Sequence, residues 1–311
     1  MSDPTLSDYI QCYNSIKKYI FNYNLILKYL KYKTKLIDIK YPNCSYLPYR
    51  LIYIINRLPL KRKYFIATSP YNDIFVGDTT EYDTFERLLN PKYQSQIINL
   101  LINKAAGIST FIDIGANTAT ISIRLSKIYN DNIKIYSFEP IPNTYKLAAS
   151  NIVLNNISNI SLYNLGIGDC ESKIIFHTFK GQSSCATAIS NRTPHDKNCK
   201  MNSLTVNCTT LDSFVYKNNI SRVDLMKIDV EGYELNVLKG AINVINKDGP
   251  TFLYEYNECA VAAGWTYKNV EDIIASSGRK YKYSVLQHNG ELTVYPPREG
   301  ASVDILAECI E

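Results

Sequence analysis

The run Ser109-Thr-Phe-Ile-Asp-Ile-Gly-Ala-Asn-Thr-Ala-Thr120 constrains this chain more than any other. Apolar, β-prone residues end in an acid and a glycine, and a helical pattern begins a few residues later. A strand that turns sharply into a helix presents unpaired backbone N–H groups and the positive end of the helix dipole. Parallel α/β sheets bind ligands at such turns, beyond the carboxyl ends of their strands. Gly115 is expected to take backbone geometry that a side chain forbids. Asp113 is expected to face the ligand as a fixed negative charge.

The same residues bear on which ligand fits. A dinucleotide turn wants G-x-G-x-x-G so that the backbone can press against a pyrophosphate. Counted from Gly115, the second and third glycine positions hold Asn117 and Thr120. An acid two residues before the glycine repels a pyrophosphate and suits a cation, such as the ammonium and sulfonium of S-adenosylmethionine. An ordinary strand–helix turn with a structural glycine is the plain alternative. A second strand, predicted over Ile133–Phe138, ends in Glu139-Pro140. An acid there is placed to accept hydrogen bonds from both hydroxyls of a ribose, in any adenosine-bearing cofactor. After a helix expected over Tyr145–Asn155 and a strand over Ile160–Leu165 comes the turn Gly166-Ile-Gly-Asp169. An adenine edge can be read there by backbone groups of Ile167 and Gly168 or by Asp169.

The other informative stretch is Val223-Asp-Leu-Met-Lys-Ile-Asp-Val-Glu-Gly-Tyr-Glu234, a buried-type strand that contains charges. Side chains alternate across a strand, so Lys227 and Asp229 share one face. A lysine inside a helix-covered parallel sheet is costly unless paired. A structural Lys–Asp pair is the competing account. Glu231 and Gly232 are expected to turn the chain into a helix over Tyr233–Ile245. The strand predicted over Thr251–Tyr256 then brings Glu255 to a neighbouring tip, followed by Asn257 and Glu258. Oxygen donors on adjacent tips are what Mg²⁺ accepts, an alternative these residues allow but do not favour.

Composition bounds the setting. The 46% hydrophobic and 20% charged content belongs to a globular protein with a sizeable core. The N-terminus has neither a basic start nor an apolar stretch, and no run is long enough to cross a bilayer. The eight cysteines are scattered without a C-x-x-C pair, which argues against a disulfide framework or zinc site and predicts a reducing, cytoplasmic setting. Residues 1–63 carry twelve Lys/Arg against three acids, a net of +9 where the whole chain has +5. They read as a basic helical N-terminal appendage (1–63) on an α/β body (64–311). Such charge suits an anionic partner, though a solvated basic face is the stronger reading. An apolar and aromatic seam, Leu6 to Leu30, suits either a homodimer contact or docking on the chain's own body, the latter preferred. Short strands are expected over 64–80 and a helical pattern over 82–105. Strands over 172–177 and 203–209 flank a polar loop that would serve as a substrate lid. His177 and His195 lie there without metal-ligand spacing. Near the C-terminus a helix at Lys268–Ser276 and strands at Tyr281–Gln287 and Ser302–Ala307, with Asn289-Gly290 as a turn, suggest an antiparallel hairpin on the sheet edge.

Four stretches together resemble the FkbM-type S-adenosylmethionine-dependent methyltransferases: Ile112-Asp-Ile-Gly-Ala-Asn117, Phe138-Glu-Pro140, Thr209-Thr-Leu-Asp212 and Lys227-Ile-Asp-Val-Glu-Gly232. The resemblance covers roughly residues 85–260. It implies a Rossmann-like, class I methyltransferase fold: a mostly parallel sheet with an antiparallel C-terminal hairpin. It also implies methyl transfer to a hydroxyl of a small molecule or saccharide. Carried over, Asp113, Gly115 and Asn117 would hold the methionine end and Glu139 the ribose, with Ile114, Ala116 and Pro140 beside them in the cofactor site. Asp229 and Glu231 would lie on the reaction side. For the removal of an acceptor hydroxyl's proton Asp229 is the first choice and Glu255 the second, with Lys227 steadying the acid. Ala119 departs from the family's usual glycine. An RNA methyltransferase and a non-catalytic cofactor-binding subunit are the competing functions.

Overall fold

The computed structural model describes residues 3–17, 20–22, 64–69, 71–78, 81, 84, 93–179, 182–189, 201–298 and 301–311. In chain order the first elements are Leu6–Lys17 (α1), Ile20–Asn22 (β1), Tyr64–Thr68 (β2), Ile74–Asp78 (β3), Ser95–Lys104 (α2), Thr110–Ile114 (β4), Thr120–Tyr129 (α3), Lys134–Phe138 (β5), Pro142–Leu154 (α4) and Ile160–Tyr163 (β6). A polar region follows with Gly166–Ile167 (β7), Ser172–Phe179 (β8), Gln182–Thr187 (β9) and Met201–Thr209 (β10). The last part holds Leu211–Lys217 (α5), Leu225–Ile228 (β11), Glu234–Lys239 (α6), Ile242–Asp248 (α7), Thr251–Tyr256 (β12), Glu258–Ala262 (α8), Tyr267–Ser276 (α9), Tyr281–Leu286 (β13), Leu292–Thr293 (β14) and Val303–Cys309 (β15).

Eight strands form the main sheet in the order β14-β13-β15-β12-β11-β4-β5-β6. The five from β12 to β6 are parallel, and β15 runs against both β12 and β13. Every residue of β4, β6 and β11 is buried. That explains their near-continuous apolar runs, since helices cover both faces of a parallel sheet. The chain lays β5 and β6 to one side of β4 and then returns to place β11 and β12 on the other. The strand order therefore reverses between β4 and β11, where ligands bind in doubly wound sheets. The expected Rossmann-like architecture is present.

Alternation divides the core. Ile112, Ile114, Met226, Ile228 and Phe252 pack with Phe214, Leu235, Leu238 and Ile274. Phe111, Leu225, Leu253 and Leu306 pack on the opposite face with Ile98, Leu101, Leu125 and Ile152. Each such side chain, fully buried, contributes about 1.5–3 kcal/mol. On that second face the same alternation aligns Asp113, Lys227 and Glu255 near the carboxyl ends of their parallel strands with Asp304 at the amino end of antiparallel β15. Asp113 lies in register with Lys227, and Glu255 with Asp304. The sheet itself thus collects charges into one row.

Three expectations change in detail. The single helix over Tyr233–Ile245 is two, α6 and α7, parted at Gly240. A Cβ on Gly240 would lie 1.9 Å from the Gly168 carbonyl oxygen, so the chain passes too close there for any side chain. The edge hairpin joins β13 to β14 through Asn289-Gly290, while β15 inserts between β13 and β12. The Leu6–Leu30 seam does not run on as one helix, because α1 ends at Lys17 and Ile20–Asn22 pair with β2; Tyr23, Leu27 and Leu30 fall outside the described residues. What is described of the seam docks on the body. Tyr9 is buried with its hydroxyl between the Ile160 carbonyl and the Leu162 amide, and Ile16 packs on Val76 and Leu147. The polar region forms its own four-stranded sheet, β7-β10-β8-β9. His177 pairs with Ser203 there at 3.1 Å, and His195 lies outside the described residues. Among the described residues no helix is long and apolar enough to cross a membrane.

Candidate active site

A cleft of about 250 Å³ opens over the carboxyl ends of β4, β5, β11 and β12. Its floor is the turn after β4. Gly115 takes φ +79°, and both its N–H and that of Ala116 donate to the Phe138 carbonyl, at 3.0 and 2.9 Å. Asn117 and Ala119 also stand in the left-handed region, at φ 51° and 61°. Alanine at such a φ costs about 1–2 kcal/mol, which gives the departure from glycine at 119 a physical price. The Asn117 Oδ1 is buried without a hydrogen-bond partner among the described residues. Ile114, Gly115, Ala116 and Asn117 all line the cleft.

Glu139 continues the wall. One carboxylate oxygen accepts from the Asn117 N–H (3.0 Å) and the other from the Ile141 N–H (2.9 Å), so the acid that ends β5 braces the turn after β4. In the ionised form each oxygen keeps a further lone pair for a ligand hydroxyl. Burial pushes the Glu139 carboxyl up to about 8 against those two donors. Pro140 and Ile167 line the same end. Gly168 and Asp169 do not line the cleft. The Gly168 N–H is spent on the Thr209 carbonyl, and Asp169 accepts from the Asn236 side chain at 3.0 Å. The turn packs against Tyr233, which lines the cleft, and against α6.

Asp113 is also placed otherwise than expected. It is fully buried beneath the turn, where Ser122 donates to its Oδ2 and Lys227 Nζ lies 3.7 Å from its Oδ1. Asp113 does not face the cleft; its neighbour across the register does. Lys227 lines the cleft, 5% exposed, with Nζ 3.0 Å from Asp229 Oδ2 and 3.1 Å from the Gly115 carbonyl oxygen. Burial alone would lower its pKa, but Asp229 and Asp113 outweigh burial and raise it, so it stays an ammonium.

The reaction side is acidic. Asp229, Glu231 and Glu255 bring carboxylate oxygens within 4.8 Å of one another. That is close enough for a shared hard cation, and equally suited to a sulfonium. One oxygen of Glu255 is buried without a hydrogen-bond partner among the described residues; burial first, then the charges of Asp229 and Glu231, hold its carboxyl well above the ordinary range. Asp304 beside it is pushed up to about 7 by burial and by Asp229.

The turn from Asp229 to Gly232 is pinned from three sides. Glu234, 1% exposed, accepts from the N–H groups of Val230 (2.9 Å) and Gly232 (3.0 Å); Trp265 Nε1 donates to the Gly232 carbonyl at 2.8 Å. From the small sheet, Thr187 donates to the Glu231 carbonyl at 2.6 Å. That sheet also brings Phe176 and Ala186 to the cleft, and Tyr93 and Gln94 arrive from before α2. None of these was singled out in the sequence. Glu234 alone carried a signal, as an acid in a helix's first turn after Glu231-Gly232.

These acids predict a pH dependence. Burial lifts Glu139 and Glu234 to about 8. A carboxyl whose folded pKa exceeds its unfolded value stabilises the fold in its protonated form, fully below the unfolded value of about 4.3. That contribution is lost as pH rises toward 8. Thermal melts of the ligand-free protein are therefore expected to fall by several degrees between pH 5.5 and 8.5. A flat profile would contradict the burial of these acids.

The comparisons with known proteins follow the same elements. Residues 113–285 match the Methyltransferase FkbM domain model. Methyltransferase 1 of Beauveria bassiana is 25% identical over 181 residues, covering 51% of this chain and 72% of that protein. The hexuronic acid methyltransferase AglP of Haloferax volcanii is 24% identical over 159 residues, covering 51% and 61%. A solved FkbM methyltransferase from Methylobacillus flagellatus superposes with a TM-score of 0.43 at 14% identity, over 64% of this chain and 43% of that one. The match to the domain model takes in the turn after β4, the Lys227–Gly232 strand and turn, and β12, and on it the chain belongs to the FkbM family of methyltransferases.

Proposed function

We propose that this protein transfers a methyl group from S-adenosylmethionine to a hydroxyl oxygen of a saccharide or similar small molecule. The observation that carries the reading is that Gly115, Asn117, Glu139 and Asp229 line one cleft at the reversal of strand order. The residues suit the cofactor's parts. Glu139 offers acceptors to a ribose, and the unpartnered Asn117 Oδ1 offers one to an ammonium. The acid-rich end balances a cation. S-adenosylmethionine, when bound, supplies a methyl already activated on sulfonium sulfur, which departs as a neutral thioether. What remains for the chain is positioning and one proton. Asp229 accepts the hydroxyl proton as the acceptor oxygen gains carbon. Glu231 and Glu255 flank it and orient neighbouring hydroxyls. The Haloferax relative is named for a hexuronic acid, which supports a saccharide acceptor here.

The test is a radiolabelled-methyl screen of p-nitrophenyl glycosides of glucose, rhamnose, N-acetylglucosamine and glucuronic acid, alongside a short RNA, each with and without EDTA. Labelled glycoside with release of adenosylhomocysteine, unchanged by EDTA, is the expected result. Label on RNA alone, or cofactor binding without any turnover, would refute the reading. Activity lost to EDTA and restored by Mg²⁺ would hand Asp229, Glu231 and Glu255 to a metal.

A further inference from the structure

We infer that Lys227 is a positioning residue that couples the cofactor turn to the proton-accepting carboxylate. The inference deepens the reading of Asp229 given above and rests on it. Three oxygens surround the ammonium: Asp229 Oδ2 at 3.0 Å, the Gly115 carbonyl at 3.1 Å and Asp113 Oδ1 at 3.7 Å. An ammonium has three N–H donors and no acceptor, so little of Lys227 is left for a ligand although it borders the cleft. Among the described residues no other side chain bonds the Asp229 carboxylate, whose side chain is 29% exposed. Without Lys227 that carboxylate would be free to rotate.

The second contact makes this more than an ion pair. Gly115 opens the turn whose Asn117 amide is bound by Glu139, so its carbonyl belongs to the cofactor's cradle. The main chains meet there too: the Asp229 N–H donates to Ile114, and the Asp229 carbonyl abuts the Cα of Gly115. Lys227 ties the two turns through their polar atoms where the backbones already touch. A compact ammonium can turn its three donors toward oxygens that do not share a plane, whereas a guanidinium's donors are confined to one plane. If Lys227 were only a counter-ion for buried acids, its loss would lower stability and leave turnover per folded molecule alone.

A double-mutant cycle separates the two roles. Turnover of the fastest p-nitrophenyl glycoside and calorimetric binding of S-adenosylmethionine are measured for the wild type, Lys227→Met, Asp229→Asn and the pair. Lys227→Met is expected to cut kcat about 100-fold, with the acceptor KM changing by less than about threefold. It should also weaken cofactor binding about tenfold through the lost bond to Gly115. In the Asp229→Asn background, Lys227→Met should lower kcat by less than about threefold more, while its binding effect persists. Should Lys227→Met not fold, Asp113→Asn with Lys227→Met removes the facing charge as well and takes its place in the cycle. Additive losses in kcat, or a lower melting temperature with kcat and cofactor binding unchanged, would overturn the inference. An Asp229→Asn single variant with full kcat would instead refute the reading of Asp229, so the two failures are distinct.

Discussion

Replacing Gly115 with alanine, the smallest side chain available, should destabilise the protein by about 3–5 kcal/mol and abolish cofactor binding. Two costs combine. The residue stands at φ +79°, where an L side chain costs about 1–2 kcal/mol. A Cβ built there also lies 1.8 Å from the Asp229 carbonyl oxygen. That oxygen is main chain in a turn pinned by Glu234, Trp265 and Thr187, so it cannot swing aside as a side chain would. Either β4's turn or β11's must move, and both line the cleft. Gly107 provides the control, because it shares the same φ but a Cβ there meets nothing within 4 Å. Gly107→Ala should therefore show the conformational cost alone, about 1–2 kcal/mol or a few degrees of Tm, with normal binding of S-adenosylmethionine. Equal shifts for the two variants, or retained affinity in Gly115→Ala, would show that the close approach to Asp229 does not constrain the turn.

That contact also marks the limit of what the sequence discloses. Gly115, Glu139 and the charged strand at Lys227 were legible because each breaks a local expectation: a glycine after a strand, an acid at a strand end, a lysine among buried apolar residues. Strand alternation was enough to put Lys227 and Asp229 on one face. It was not enough to say which of the acids on that face are roofed over. Asp113 lies under α3, whose Ser122 covers it, so the acid expected to meet the ligand instead faces Lys227, which borders the cleft in its place. Nor does the sequence disclose that the turn after β7 bends toward α6, where Asn236 donates to the Asp169 carboxylate. The split of one expected helix at Gly240 depends on a backbone contact with Gly168, some seventy residues distant, which no local pattern encodes. Phe176, Ala186 and Tyr93 border the cleft through tertiary placement alone. A sequence shows which residues carry chemistry more readily than which of them share a wall.

Asp229→Asn is expected to lower kcat by about 10²–10⁴-fold, roughly 3–5 kcal/mol of transition-state free energy, while changing the affinity for S-adenosylmethionine by less than about threefold. Asparagine is nearly the same size, and its carbonyl oxygen can still accept from Lys227. The main-chain contacts with Ile114 and Gly115 do not depend on the side chain, so the cofactor turn should hold its shape. What is lost is an oxygen able to take a proton. Glu255→Gln is the informative comparison. Burial and the charges of Asp229 and Glu231 hold Glu255 in its protonated form to a higher pH than an ordinary carboxyl, which suits it to donate a hydrogen bond to the acceptor rather than to remove a proton. Its amide replacement keeps that donor and should cost about tenfold or less. The ordering of the two variants decides the assignment. If Glu255→Gln proves the slower enzyme, the proton passes to β12 and Asp229 serves only to orient. If neither variant slows the reaction under conditions where methyl transfer limits the rate, the acceptor hydroxyl needs no base, and proximity to the sulfonium methyl accounts for catalysis.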